Sequence, residues 1–247
     1  MDKLVIIPTY NEIENIEPIL AAIFTQDKGY HVLIIDDNSP DGTAEKVKLL
    51  QVQYKATLFL EQRVGKLGLG TAYIHGFKWA LQHGYKYIFE MDADFSHNPK
   101  DLDRLYQAAL QGNDLVIGSR YVPGGKIENW PWTRVLISKG ASLYTKLITW
   151  MPIKDPTAGF VCYSYRLLNA INFDEIKFSG YAFQIEMKFA TYQLGYTIVE
   201  VPITFIDRQH GTSKMNKSIL KEGIFGVLKI QYKSWFKHYK KKVAKVV

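Results

Sequence analysis

Apolar runs of strand length alternate with helical patterns over the first half of the chain, and this alternation limits the possible folds more than any other feature. The runs span Leu4–Pro8, His31–Asp37, Ala56–Glu61, Tyr87–Met91 and Asp114–Ser119. Helical patterns lie between them, at Ile13–Gln26, Thr43–Gln53, Leu69–His83 and Lys100–Gln111. Continuous apolar strands separated by helices are typical of a mostly parallel sheet covered on both faces. The sequence therefore predicts an α/β domain.

The second half of the chain carries fewer strand signals. It predicts helices at Thr133–Trp150 and Tyr181–Leu194, a loop at Asp155–Gly159 and a short strand at Thr197–Val201. No internal repeat, low-complexity stretch or linker interrupts it. We therefore expect one catalytic domain over residues 1–215 and a distinct C-terminal segment over residues 216–247.

Two acidic residues, Asp92 and Asp94, stand directly after the fourth apolar run. Mg²⁺ prefers oxygen ligands and is usually held by one or two carboxylates together with substrate phosphates. Acidic pairs more often cap helices or face water, but the next helix begins near Pro99, where Asn98 or Ser96 is the better candidate for a cap. The pair therefore predicts a divalent-cation site suited to a diphosphate leaving group.

Polar residues follow two further strands, at Thr9–Glu12 and Asp36–Asp37. Ligands of parallel sheets bind beyond the carboxyl ends of the strands, so these residues and the acidic pair are expected to meet at one edge. One carboxylate of Asp36–Asp37 could accept from a base or a ribose hydroxyl. The same segment also reads as a turn in which Asp41 or Thr43 caps the next helix.

Three more segments contain Lys or Arg side chains, and each segment has two interpretations. The glycine-rich stretch Gly65–Thr71, with Lys66, is either a phosphate cradle or a tight connection. Arg120 either pairs with a phosphate through its guanidinium fork or forms a surface ion pair with an acid such as Asp114. The polar loop Arg208–Lys214 is either a flexible clamp over a diphosphate or a solvated loop.

The positive charge of the chain is concentrated at its C-terminus. The net charge is +7, whereas Thr212–Val247 holds ten lysines and one acid, for +9, which leaves −2 for the preceding residues. One half of a helix over Asn216–Tyr239 holds most of its large apolar residues, and only Ile219 and Ile230 lie outside that half. The residues within it are Leu220, Ile224, Phe225, Val227, Leu228, Tyr232, Trp235, Phe236 and Tyr239. A basic amphipathic helix with aromatic anchors is typical of a membrane interface. The alternative is that its first turns pack on the domain.

Other features bound the cellular setting. Cys162 is the single cysteine, so no disulfide forms within the chain and a reduced, cytoplasmic setting is expected. The N-terminus enters the first strand directly, which does not resemble a signal peptide. No apolar stretch approaches the roughly 18 residues that a transmembrane helix needs.

Several motifs, taken in order, resemble those of the inverting family 2 glycosyltransferases with a GT-A (Rossmann-like) fold, and among them the dolichol-phosphate (polyprenol-phosphate) mannosyltransferases. The similarity covers about residues 3–216. The motifs are Pro8–Glu12, Asp36–Thr43, Gly68–Tyr73, Met91–Pro99, Gly118–Tyr121, Asp155–Phe160 and Arg208–Lys214.

The resemblance implies a role for each matching residue. The nucleoside would contact Pro8, Tyr10, Glu12, Ile35 and Asp37. Mg²⁺ or Mn²⁺ would be held by Asp92, Asp94 and Ser96, with Ala93 beside the donor. Arg208 and Lys214 would grip the donor diphosphate, whereas the lipid phosphate would contact Arg120, Arg134 and Ser138. Asp94, Arg120 and Arg134 would be the residues on which catalysis depends.

The implied reaction is transfer of mannose from GDP-mannose to a polyprenyl (dolichyl or undecaprenyl) phosphate, with inversion. Two departures from the family pattern matter: some members have Gln in place of Ser96, and some carry transmembrane helices after the catalytic domain. Here the amphipathic tail would attach the enzyme to the anionic cytoplasmic face of the membrane, or a partner protein would anchor it. The nearest alternative is another donor, such as UDP-glucose. A nucleic-acid-binding protein conflicts with the slightly acidic body and the lack of a known motif.

Overall fold

A seven-stranded sheet lies at the centre of the protein. The structure is a computed structural model that describes residues 2–180, 182–207, 217–234 and 239–240. The strands are β1 Lys3–Thr9, β2 Tyr30–Asp36, β3 Leu58–Gln62, β4 Tyr87–Glu90, β5 Leu115–Ser119, β6 Lys126–Glu128, β7 Val161–Ser164, β8 Ile198–Pro202 and β9 Thr204–Ile206. The helices are α1 Ile13–Phe24, α2 Thr43–Gln53, α3 Leu69–Gln82, α4 Asp101–Leu110, α5 Trp132–Thr149, α6 Tyr165–Ala170, α7 Ala182–Gln193 and α8 Lys217–Ser234, with a 3₁₀ turn at Phe173–Glu175.

The large sheet has the strand order β3-β2-β1-β4-β7-β5-β8. All neighbouring pairs are parallel except those of β7, which runs antiparallel to both β4 and β5. The predicted mostly parallel α/β sheet is thus confirmed, as are the predicted helices of residues 1–215. The expected C-terminal helix over Asn216–Tyr239 is wrong at its end, because Tyr239 is not helical: its carbonyl accepts from Asn172 N (2.7 Å) and its side chain is buried in the core. The sequence did not predict β6, β7, β9 or α6, because elements of three to six residues are too short to show a clear period.

Both faces of the sheet are covered, which explains the unbroken apolar runs. Along β1, Leu4 and Ile6 join the core cluster on the side of α3 and α7, whereas Val5 and Ile7 join the cluster on the side of α1, α2 and α4. Successive side chains of a strand point to opposite faces, so a strand buried on both faces needs an apolar residue at every position.

Helix α8 packs on the domain through one face. Val227 and Ile230 are buried in the core cluster, and a Cβ at Gly226 would lie 3.0 Å from the Cβ of Ala182. The helical periodicity places Ile230 outside the apolar half of this helix. In the structure Ile230 is buried against the domain, so that placement is wrong. The opposite side exposes other members of that half, namely Phe225, Leu228 and Tyr232. None of the described helices is long and apolar enough to cross a bilayer.

Helix α5 has the reverse of the usual polarity for a surface helix. Its buried side consists of Ser138, Ser142, Thr145 and Thr149. Its exposed side carries Trp132, Leu136, Leu143, Leu147 and Trp150, each 59% or more accessible. We call these five residues the α5 apolar stripe. A row of large apolar side chains in water is unusual for a monomeric soluble protein and marks an interaction surface.

Candidate active site

A cleft of about 240 Å³ opens at the carboxyl ends of β1, β2 and β4. It brings together residues from all three polar segments that the sequence placed at this edge, together with the glycine-rich stretch. The lining residues include Pro8, Thr9, Tyr10, Glu12, Asp37, Lys66, Gly68, Asp92, Ala93 and Asp94. The predicted convergence at one edge of the sheet is therefore confirmed.

The two adjacent acids Asp36 and Asp37 have different surroundings. Asp36 is fully buried and accepts hydrogen bonds from Thr9 Oγ1 (2.9 Å), Ser39 N (2.9 Å) and Ser39 Oγ (2.6 Å). These bonds hold the ends of β1 and β2 together. Asp37 lines the cleft instead, so it is the carboxylate placed to meet a ligand.

Arg63, which the sequence did not single out, joins two walls of the cleft. Its Nε donates to Asp37 Oδ1 (2.6 Å) and its Nη1 donates to Thr71 Oγ1 (2.7 Å). The Thr71 hydroxyl in turn donates to the carbonyl of Gly68 (2.7 Å). Because Arg63 follows β3 directly, its position at the end of a parallel strand was the signal that could have identified it.

The glycine-rich stretch does contribute to the cleft. Gly68 has φ of +101°, and a Cβ there would lie 3.0 Å from the Cβ of Ser179. Both observations explain why glycine is required at this position. The stretch also brings Lys66 Nζ to 4.5 Å from the ring centre of Tyr10. The Lys66 ammonium and the Tyr10 ring are thus in cation–π contact at the wall of the cleft.

The N-cap residue of α2 is Gly42 and not Asp41 or Thr43, the two candidates from the sequence, but the Asp41 carboxylate does bind the first turn of α2 and also reaches a second helix. Its Oδ1 accepts from Thr43 N (3.0 Å), and its Oδ2 accepts from Ile13 N at the start of α1 (3.1 Å). This carboxylate is therefore structural, because both of its oxygens are used to hold helix N-termini.

The loop of the acidic pair has room for a cation. Asp94 is only 8% exposed and its Oδ1 accepts from Ser96 N (3.1 Å), whereas the side chain of Asp92 is 41% exposed. Phe95, between Asp94 and Ser96, has φ of +60°, which is strained for a bulky residue. The buried Ser96 Oγ has no hydrogen-bond partner in the described part of the chain. Two carboxylates and an unsatisfied hydroxyl oxygen fit a hard divalent cation.

No group of three His, Cys, Asp or Glu residues able to hold a metal occurs within the described residues. A cation at Asp92 and Asp94 would therefore need ligands other than a third His, Cys, Asp or Glu of the described residues, such as phosphate or water oxygens. This agrees with the way Mg²⁺ is usually bound, through one or two carboxylates and phosphate oxygens.

His97 supports the acidic pair from behind, and the sequence analysis did not assign it a role. Its Nδ1 accepts from the backbone N–H of Asp92 (3.2 Å), and its ring stacks on Phe160 at 5.0 Å. Burial lowers the pKa of His97 to about 4. The neutral ring can therefore accept through Nδ1, with its proton on Nε2.

Arg120 forms a buried bidentate ion pair with Asp155. Its Nε lies 2.7 Å from Asp155 Oδ2 and its Nη2 lies 2.6 Å from Asp155 Oδ1, and Nη2 also donates to Thr157 Oγ1 (2.7 Å). The suggested pair with Asp114 is wrong, because Asp114 accepts from Arg166 instead. The motif Asp155–Phe160 thus holds the arginine.

Arg134 and Ser138 lie one turn apart on α5, as predicted. Arg134 Nη1 donates to Asp207 (3.0 Å), and its guanidinium carbon lies 3.9 Å from the ring centre of Trp130. The buried Nε of Arg134 has no hydrogen-bond partner in the part of the chain that the structure describes. Ser138 Oγ accepts from the Tyr121 hydroxyl (2.7 Å).

Besides Ser96, Arg120, Arg134 and Ser138, which lie outside the lining of the cleft, one other described site residue does not line it, namely Ile35. The side chain of Ile35 is fully buried in the core, so Ile35 could contact a ligand only through its backbone. Arg208 and Lys214 lie outside the described residues.

A buried polar network lies behind the site. Gln184 Nε2 donates to Glu90 Oε2 (2.7 Å), and Lys188 Nζ donates to Gln184 Oε1 (3.1 Å) and to the carbonyl of Ala158 (2.7 Å). Burial raises the pKa of Glu90 to about 7 and lowers the pKa of Lys188 to about 8. The network connects the end of β4, next to the acidic pair, with the loop that holds Arg120.

Known proteins resemble this chain over most of its length. The sequence profile of the family described as glycosyl transferase family 2 matches residues 4–172. Polyprenol monophosphomannose synthase of Mycolicibacterium smegmatis is 44% identical over 224 residues, which cover 91% of this chain and 84% of that protein. Undecaprenyl-phosphate mannosyltransferase of Micrococcus luteus is 46% identical over 227 residues, which cover 92% and 93%.

A solved structure supports the fold. Glucosyl-3-phosphoglycerate synthase from Mycobacterium tuberculosis, in complex with Mn²⁺, UDP and phosphoglyceric acid, superposes with a TM-score of 0.68 at 19% identity. The match covers 93% of this chain and 78% of that one. At this level of identity the likeness concerns the arrangement of strands and helices alone.

The Arg120–Asp155 pair makes a testable contribution to stability. Asp155→Asn leaves a buried guanidinium without its counter-charge, which should lower the free energy of unfolding by about 3–5 kcal/mol. Glu17→Gln is the matched control, because it breaks a pair with Lys46 in which Glu17 is 55% exposed. Glu17→Gln should lower the free energy of unfolding by only about 0–1 kcal/mol. Urea denaturation measures both, and equal losses would contradict the structural role of the buried pair.

The same pair predicts a dependence on pH. Burial alone would raise the pKa of Asp155, but the Arg120 guanidinium holds it below its ordinary value of 3.8. A carboxyl with a lowered folded-state pKa stabilises the protein above its unfolded pKa, and this stability is lost as the pH falls through the folded value. Stability should therefore fall below pH 3.8, and less steeply in Asp155→Asn.

Proposed function

The chain belongs to glycosyl transferase family 2, and from that premise we propose that it transfers mannose from GDP-mannose to a polyprenyl phosphate, with inversion, to give polyprenyl phosphate mannose and GDP. That it is a glycosyltransferase follows from the family itself. The names of its relatives support the mannosyl group and the lipid phosphate acceptor. The observation that carries the proposal is the cleft, in which the acidic pair lies at the same sheet edge as Asp37 and Lys66.

The acceptor phosphate is proposed to bind beside Arg134 and Ser138. The unpartnered Nε of Arg134 is a donor without an acceptor in the described part of the chain, which a phosphate oxygen would supply. Aromatic contacts join this arginine to the acidic loop: the Trp130 ring lies 5.3 Å from Phe205, and Phe205 lies 5.5 Å from His97. A phosphate at Arg134 would thus be held on the same packed unit as the donor site.

The proposed reaction does not require these residues to act as strong acids or bases. A phosphate monoester is already an anion near neutral pH, so no strong general base is needed to activate it. The task of the protein is then to align acceptor and donor and to exclude other arrangements. The Nε and Nη2 groups of Arg120 already donate to Asp155 and Thr157. We therefore propose that Arg120 orients the acceptor side and attracts the phosphate through its positive charge, and that it does not bind the phosphate through two hydrogen bonds.

The donor diphosphate is proposed to reach the acidic loop with a divalent cation, Mg²⁺ or Mn²⁺, held by Asp92, Asp94 and Ser96. When bound, such a cation would neutralise charge that develops on the leaving diphosphate. Arg208 and Lys214, which lie outside the described residues, are proposed to bind the same diphosphate. Asp37, oriented by Arg63, and Tyr10 and Glu12 are proposed to hold the nucleoside.

The acceptor lipid stays in a bilayer, so the enzyme is proposed to dock on the cytoplasmic membrane face as a peripheral protein. The α5 apolar stripe supports this, since the acceptor residues Arg134 and Ser138 belong to the same helix. Exposed Phe225, Leu228 and Tyr232 of α8 would add to the docking face. Trp235 and Phe236, expected from the sequence as further anchors, lie outside the described residues. We propose the division into residues 1–215 and 216–247 only as a functional one, since α8 packs on the domain.

The donor and acceptor can be tested directly. Radiolabelled GDP-mannose and UDP-glucose are each offered with a polyprenyl phosphate, and labelled lipid is extracted. We expect transfer from GDP-mannose, with UDP-glucose slower by at least an order of magnitude. Preferred transfer from UDP-glucose would replace the donor while keeping the reaction class, and no lipid product from either would overturn the proposal.

The cation site predicts a loss of activity without a loss of fold. Asp94→Ala should reduce turnover by roughly a hundredfold or more, because an interaction worth several kcal/mol is removed. Binding of Mn²⁺ in the presence of GDP, followed by calorimetry, should weaken in parallel. Asp174→Ala is the control, since Asp174 is an exposed acid of the 3₁₀ turn. Normal turnover of Asp94→Ala, or full activity of the wild type in EDTA, would contradict the cation site.

The docking face predicts an effect on vesicle binding. Leu143→Ser with Leu147→Ser removes two apolar residues of the stripe, each worth roughly 1.5–3 kcal/mol if buried in lipid. Binding to vesicles should drop by at least about tenfold, whereas activity on a short, detergent-dispersed acceptor should persist. Leu49→Ser with Val52→Ser is the control, because these residues of α2 are 70% and 69% exposed on another helix. Equal effects of the two pairs would exclude α5 as the docking face.

A further inference from the structure

A second cavity, of about 420 Å³, opens between α5 and the turn that follows β5. Its lining includes Arg120 and Tyr121 from the turn, Lys139, Ser142 and Lys146 from α5, and Lys154 from the next loop. Arg134 and the acidic pair are not part of it. We call this space the lysine cavity. Apart from Arg120 and Tyr121, which adjoin the proposed acceptor site, none of these lining residues has a part in the proposed reaction.

The charge of the lysine cavity is positive. Lys139, Lys146 and Lys154 are exposed side chains that line the same space. The nearby carboxylates are already engaged, since Asp155 pairs with Arg120 and Glu200 accepts from the backbone N–H groups of Lys154 (2.8 Å) and Asp155 (2.9 Å). Among the described residues, no acid lines the cavity. The cavity therefore favours an anion.

Ser142 gives an independent indication of a ligand. It is only 4% exposed, it lines the cavity, and its Oγ has no hydrogen-bond partner among the described residues. The other hydroxyls of that face are satisfied: Thr145 donates to the carbonyl of Ala141 (2.8 Å) and Thr149 to that of Thr145 (2.7 Å). Because buried hydroxyls are nearly always hydrogen-bonded, a ligand oxygen is the expected partner of Ser142.

The position of the lysines on α5 indicates where that anion comes from. At about 100° per residue, Lys146 and Lys139 fall between the buried Ser142 on one side and Leu143 of the α5 apolar stripe on the other. If the stripe enters the bilayer, the lysines lie at the level of the lipid headgroups. Lysines at this level are attracted to anionic lipids.

We propose that the lysine cavity binds the phosphate headgroup of an anionic membrane phospholipid, at a site separate from that of the acceptor phosphate. The bound lipid would fix the rotation of α5 at the membrane and so present Arg134 and Ser138 to the acceptor. The inference rests on the proposed membrane orientation, but it does not depend on which sugar is transferred.

The test compares two charge-matched double variants. Lys139→Gln with Lys146→Gln removes two charges from the cavity, whereas Lys55→Gln with Lys78→Gln removes two charges from exposed lysines elsewhere. Binding is measured by co-sedimentation with phosphatidylcholine vesicles, with and without phosphatidylglycerol. The preference for phosphatidylglycerol should fall by roughly tenfold in the cavity variant and by less than about twofold in the control. Equal losses would reduce the effect to overall charge and overturn the proposal.

Ser142→Ala tests the site without any change of charge. It should lower the preference for phosphatidylglycerol several-fold while thermal stability stays at or above that of the wild type, because the variant removes an unsatisfied buried hydroxyl. An unchanged preference in Ser142→Ala would contradict a built phosphate site.

A kinetic arm separates the two sources of phosphate. The KM for a short polyprenyl phosphate in detergent without phospholipid is compared between the cavity variant and Arg134→Ala. Arg134→Ala should raise this KM roughly ten- to a hundredfold. A rise of similar size in the cavity variant would assign the cavity to the acceptor and overturn the proposal. Vesicle binding requires no glycosyl transfer, so its outcome is independent of the proposed reaction.

Discussion

Parallel pairing of β1 with both β2 and β4 brings three strand ends to one edge of the sheet, and the cleft is built on this register. The backbone hydrogen bonds hold carboxylates close together that would otherwise repel one another. Asp36 and Asp41 show how the fold accommodates this, since their oxygens accept from nearby N–H and hydroxyl groups. Asp92 and Asp94 remain as the carboxylates whose surroundings suit a cation.

The rigidity of the site comes from charges buried behind it. Arg120 with Asp155, and Lys188 with Gln184 and Glu90, connect the loop after α5 to the end of β4. Buried charges are costly unless they are paired and hydrogen-bonded, and their geometry is therefore narrowly defined. The structure uses such pairs to hold the arginine beside the proposed acceptor site.

Helix α5 carries both the proposed acceptor residues and the proposed membrane-docking face. Its buried face of Ser138, Ser142, Thr145 and Thr149 is unusually polar, and its exposed stripe is unusually apolar. This reversal is unfavourable in water and becomes favourable where the exposed side meets hydrocarbon. The proposed lipid site, the proposed acceptor site and the docking face then follow one another along a single helix. In this proposal, the orientation of the enzyme on the membrane and the access of the lipid acceptor to its site are coupled.

The sequence by itself determined the α/β class, six strands of the large sheet and the convergence of Asp37, Asp92 and Asp94, because strand period is a local signal and parallel strands place their carboxyl ends at one edge. Only the tertiary structure decided which groups pair: Arg120 with Asp155, Arg63 with Asp37, and His97 with the backbone of Asp92. It also inserted β7 antiparallel into the sheet and buried Ile230 of α8. Local periodicity says which residues are apolar, but it does not say which of two faces meets the domain. That choice depends on packing between segments far apart in the chain.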